Sequence, residues 1–94
     1  MEYTHCIVDF TLPEHADHTD TIEDLDMCYF SQGIVRSEVL TMEYEKRVRL
    51  YIMLRIGDPF WKLVDGNKTH KVSIWYDNTE LLAKVYNYAH APDL

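Results

Sequence analysis

Glu14-His15-Ala16-Asp17-His18 packs four potential metal ligands into five residues, and His15 and His18 stand three apart. That spacing would place both imidazoles on one side of a helix. Zinc needs three or four such donors converging on a tetrahedron, so His5, Cys6 or Cys28 would have to approach in space. Pro13 and the polar flanks point instead to an open loop, and no H-E-x-x-H or paired C-x-x-C is present. The expectation is solvent-facing histidines, with no metal and no cofactor. A small metal- or ligand-binding protein or enzyme using the His15/His18 loop is the alternative that this run keeps open.

Cys6, with His5 and Asp9 nearby, has the residue types of a Cys–His nucleophile. Neighbouring strand residues point to opposite faces, however, so His5 cannot deprotonate Cys6. Cys6 shares a register with Val8 and Phe10, which makes it a buried structural thiol. There is no G-x-S-x-G, phosphate loop or G-x-G-x-x-G, and three glycines leave little room for one. No catalytic residue is assigned. Two cysteines are too few for a disulfide scaffold, so both are expected to be reduced and mostly buried.

Charge is the more informative signal. Residues 1–45 hold eleven acids and one base, Arg36, leaving −10, whereas residues 46–94 hold five acids and eight bases, leaving +3. The acids concentrate at Glu14, Asp17, Asp20, Glu23, Asp24 and Asp26, with no base among them. Such a cluster repels itself in the folded state, and it can also steer a basic partner. These six residues are the candidate partner-binding set. The net charge of −7 argues against direct binding to nucleic-acid phosphates.

Twelve aromatics offer a different surface. Trp61 and Trp75 are expected on facing strands of a hairpin, Trp61 in the core and Trp75 either core or contact patch. Lys62, Lys68 and Lys71 on that hairpin, with Arg47, Arg49 and Arg55, make a modest basic face. Its expected place is opposite Glu38 or Glu43 across the sheet, or against the acidic segment of a second copy in a homodimer.

These residues must be held by one domain, since 94 residues leave no room for a second core. Tyr3–Leu12 alternates as a strand, with Cys6, Val8, Phe10 and Leu12 on one face and Tyr3, His5, Ile7 and Asp9 on the other. Asp20 and Glu23 form a capping-box pattern for a short helix that buries Ile22, Leu25 and Tyr29, with Cys28 beside them, and stops before Gly33. Residues 34–44 have mixed periodicity. Val48, Leu50, Ile52, Leu54 and Ile56 alternate cleanly with Arg47, Arg49, Tyr51, Met53 and Arg55, so residues 34–56 read as a hairpin. Phe60–Val64 and Lys71–Tyr76 read as a second hairpin across Asp65-Gly66. Asp77 and Glu80 predict a final helix over about 78–89 that buries Leu81, Leu82, Val85 and Tyr88 or Ala89. The expected fold is α+β, an antiparallel sheet of four or five strands with two helices on one face, in the order β-α-β-β-β-β-α.

No run is long enough to span a bilayer and no signal peptide is apparent, so a cytoplasmic protein is expected. The composition and the absence of catalytic motifs favour a small acidic protein-binding module. An inhibitor of the immunity or phage anti-defence type fits best, including the nucleic-acid mimic in which carboxylates stand in for phosphates. Its partner would be a basic protein, such as a nucleic-acid-binding one. An assembly subunit binding through the aromatic hairpin is the other alternative.

Overall fold

The computed structural model describes residues 3–13, 16–30, 33–41, 45–55, 57–58, 68–76 and 78–90. Within them lie β1 (Tyr3–Pro13), α1 (His18–Cys28), β2 (Ile34–Thr41), β3 (Glu45–Arg55), β4 (His70–Tyr76) and β5 (Thr79–Asn87), then a 3₁₀ turn at Tyr88–His90. The five strands form one antiparallel sheet in the order β2-β3-β1-β5-β4. The fold is α+β, with one helix where two were expected.

Period-two alternation builds the sheet. Cys6, Val8, Phe10 and Leu12 of β1 and Val48, Leu50, Ile52 and Leu54 of β3 are buried on the helix side, as their register predicts. Ile74 of β4 and Leu81, Ala83 and Val85 of β5 extend this layer. Leu25 and Phe30 close it from above, with Ile22 and Tyr29 packed at its margin. β2 and β3 pair as the expected hairpin, with a register shift between Ile34 and Arg36. That bulge carries Val35 into solvent. Ile56, the Phe60–Val64 strand and Trp61 lie outside the described residues.

The predicted C-terminal helix is not formed. Residues 79–87 are β5, and Tyr76 pairs with Thr79 across a two-residue turn. Asn78 in that turn has φ 61, a conformation asparagine tolerates and tight hairpins require. Helix and strand share Leu81 and Val85 as buried positions, so these two cannot separate the two readings. The residues between them can: Leu82 is 72% exposed and Ala83 1%. The sheet therefore uses Leu81, Ala83 and Val85, and Tyr88 and Ala89, one of which was expected inside, are both exposed.

The helix also begins earlier than its capping-box pattern implied. Asp17, not Asp20, is the N-cap, and its carboxylate accepts the Asp20 backbone N–H at 3.1 Å. Thr21, fully buried, donates its hydroxyl to the Asp17 carbonyl at 2.7 Å. The helix ends at Cys28, and Gly33 bonds both to Phe30 and to β3. Gly33 N–H donates to the Phe30 carbonyl at 2.7 Å, while its own carbonyl accepts from Met53 N–H at 2.8 Å. A Cβ there would lie 2.6 Å from the Met53 oxygen, so only glycine permits this approach.

Candidate functional site

The acidic candidates separate into structural and free carboxylates. Asp17 caps α1, and the donated Asp20 N–H holds its carboxyl below the usual range, helped by the Thr19 N–H and by charge from His18 and Lys46. Asp26 is half-buried and accepts the Ile34 N–H at 2.9 Å, tying the helix to the start of β2. Asp20, Glu23 and Asp24 are exposed, and among the described residues none of them enters an ion pair. They share one stripe of the helix with Met27, which is also exposed. Glu14 lies outside the described residues.

Beside this stripe, α1 hangs over the edge strand β4. A cavity of about 480 Å³ opens there, lined by Asp24, Leu25, Cys28, Tyr29, Trp75 and Tyr76. The Tyr29 hydroxyl fixes its width, donating to the Trp75 carbonyl at 3.2 Å and accepting the Trp75 N–H at 3.1 Å. One phenol thus satisfies the outward groups of an edge residue that would otherwise invite strand pairing. Cys28 is a free, exposed thiol at this cavity, contrary to the expectation of burial; it shares the helix side of Thr21 and Leu25, but in the last turn of α1 it faces the cavity instead of packed core.

The other face of the sheet carries a row of charges. The registers align Glu38, Arg49, Asp9, Lys84 and Lys71 across all five strands. Arg49 stands opposite Glu38, as expected of the basic strand, but it is not a solvent-facing base. It makes a bidentate pair with Asp9, Nε to Oδ1 at 2.8 Å and Nη2 to Oδ2 at 2.9 Å, with the two side chains 6% and 12% exposed. Its hydrogen bonds to Asp9 raise the guanidinium pKa against the cost of burial, which keeps it charged. Ile7 and Tyr86 pack beside it, and burial pushes the Tyr86 phenol up.

At the end of this face lies a second cavity, of about 530 Å³, lined by His5, Val35, Arg36, Tyr51 and Tyr88. The Arg36 guanidinium lies 4.0 Å above the centroid of the Tyr51 ring, and Tyr51 and Tyr88 meet at 6.0 Å with their planes tilted by 58°. Glu38 Oε1 takes both the Tyr51 hydroxyl at 3.1 Å and Arg36 Nη2 at 3.3 Å.

In comparisons with known proteins, no family model, curated protein or solved structure matches this chain. His18 opens α1, and His15 lies outside the described residues; no group of three or more potential metal ligands occurs among the described residues. Cys6 is buried among apolar side chains, and burial, with a smaller contribution from Asp58, pushes its thiol up to about 12. A thiol so raised is a poor nucleophile at neutral pH. Trp75 is 55% exposed, so it is not a core residue. No described helix is long and apolar enough to cross a membrane.

The Arg36 cluster was not legible in the sequence. Arg36 and Glu38 are two apart on a segment of mixed periodicity, and Tyr51 is thirteen residues beyond Glu38. Only the register brings them together. Tyr88 was misplaced with the helix that does not form.

Proposed function

We propose that the protein is a small binding module that docks the outward stripe of α1 on a basic protein surface. The observation that carries this reading is the exposure of Asp20, Glu23 and Asp24 as carboxylates without a described ion-pair partner, on a helix fixed at both ends. Asp17 and Asp26 take structural duties and hold that stripe in place. Exposed Met27 adds an apolar contact, and the cavity beside Asp24 offers a seat for a partner side chain. Individual exposed ion pairs contribute about 0–1 kcal/mol, so several must act together, and their main effect is on association rate. An inhibitor that covers a nucleic-acid-binding or active-site surface of a cytoplasmic protein is the role this arrangement suits.

The test is a pull-down from source cells, followed by association kinetics with the captured partner. Reversal of Asp20, Glu23 and Asp24 to lysine should slow association and flatten its salt dependence while the circular dichroism spectrum stays native. Unchanged kinetics would reduce the stripe to a solubilising surface. Attention would then move to exposed Trp75 and Leu82, which stand diagonally on β4 and β5 and fit the assembly-subunit alternative.

A further inference from the structure

We infer that the Arg36–Tyr51–Tyr88 cavity binds a small ligand made of a flat apolar body and a single carboxylate. The site lies across the sheet from the acidic helix and does not depend on its docking. Its volume of about 530 Å³ falls within the range of small-molecule sites. Its walls are apolar where Val35 and Tyr88 stand exposed, because the bulge after Ile34 and the 3₁₀ turn after β5 bring them up at the two sides.

Arg36 supplies the recognition. Contact with the Tyr51 ring holds the guanidinium in place, and among the described residues its ion-pair contact is a single Nη2 bond to Glu38. Arginine has five N–H donors in a planar fork, which leaves donors for a bidentate carboxylate. The Arg36 side chain is 58% exposed, and an exposed single-contact pair is worth little, so a ligand can take the guanidinium. Glu38 stays satisfied through the Tyr51 hydroxyl. Glu38 also limits the ligand's charge, because a carboxylate beside the guanidinium repels a dianion such as a phosphate monoester more strongly than a monoanion. The chain's net charge of −7 opposes anions generally, so any preference for a carboxylate must come from Arg36.

The experiment is an NMR titration of the full chain with naphthalene-2-carboxylate and with its neutral isostere naphthalene-2-carboxamide. The carboxylate should bind saturably, with shifts centred on His5, Val35, Arg36, Tyr51 and Tyr88, and about tenfold or more tighter than the amide, the worth of one charge-assisted hydrogen bond. Arg36→Gln should abolish that preference, Arg36→Lys should keep only part of it, and Tyr88→Ala should weaken both ligands alike. Both side chains are exposed, so native amide spectra are expected of the variants. Equal affinity for the two ligands, shifts centred elsewhere, or no saturable binding at millimolar ligand would overturn the assignment.

Discussion

Asp9 and Arg49 show why a residue's type and spacing can mislead about its exposure. The strand alternation puts both on the face away from α1, where a charged residue is ordinarily solvated. Their direct register opposition lets them meet edge to edge, and the pair is 6% and 12% exposed, within electrostatic reach of buried Tyr86. Breaking such a pair leaves an uncompensated buried charge, so Asp9→Ala should cost about 3–5 kcal/mol in urea unfolding. Replacing both partners together, Asp9→Leu with Arg49→Met, should recover most of that loss. If the single change costs no more than the double, the pair is not held in a desolvated site. The two thiols make a parallel contrast. Cys6 was legible as buried because strand parity is strict, whereas Cys28 has the phase of buried Thr21 and Leu25 but sits in the last turn of α1, over a cavity that the sequence does not reveal. At neutral pH an alkylating reagent should modify Cys28 in the native protein and reach Cys6 only on unfolding. Rapid double labelling would contradict the buried, raised thiol.

Among the elements, the strands that alternate without ambiguity were legible, and the one that failed was ambiguous for a definite reason. β3 offers a long alternation that no helix accommodates, and Leu50→Ala at its buried centre should cost about 2–5 kcal/mol by lost transfer energy and cavity formation. β5 offers Leu81, Leu82 and Val85 to a helix and Leu81, Ala83 and Val85 to a strand, and Asp77-x-x-Glu80 mimics a cap. What decides is the partner, since β1 and β4 both present ladders to it. Leu82→Lys should therefore be nearly neutral, and Ala83→Lys strongly destabilising; the reverse order would restore the helix. For α1 the cap is Asp17, and its lowered pKa sets a pH window. A carboxyl depressed in the folded state contributes its full stability above its ordinary value of 3.8 and loses it as pH falls through the folded value. Asp17→Asn keeps an acceptor at the cap but cannot titrate. The stability difference between wild type and this variant should be constant near neutrality and shrink in acid below that ordinary value. A constant difference throughout would show that the charge of Asp17 contributes nothing.

At the scale of the whole molecule, the sequence's charge division becomes a division in space only in part. The bases of β3 are only partly free: Arg47 and Arg55 are exposed, but Arg49 between them is committed to Asp9, and Lys46 donates to the Ala16 carbonyl at 2.9 Å. Among the described residues the acids of α1 find no ion pair in return: Asp20, Glu23 and Asp24 stay exposed on a chain of net charge −7. Like charges on adjacent turns repel, which makes the stripe a standing cost to stability. Salt screens such repulsion, with a Debye length of about 10 Å at 0.1 M falling to about 3 Å at 1 M. The thermal midpoint of the wild type should therefore rise as sodium chloride is added at neutral pH. A neutral variant, Asp20→Asn with Glu23→Gln and Asp24→Asn, should begin higher at low salt and respond less. The favourable interaction of Asp20 with the helix N-terminus subtracts from this gain, so Glu23→Gln with Asp24→Asn alone should show it most clearly. Such a cost is one the proposed docking surface would carry, because binding surfaces trade stability for function. If neutralising these carboxylates leaves both the midpoint and its salt response unchanged, the stripe costs nothing. The energetic argument for a basic partner then fails, whatever the carboxylates' exposure.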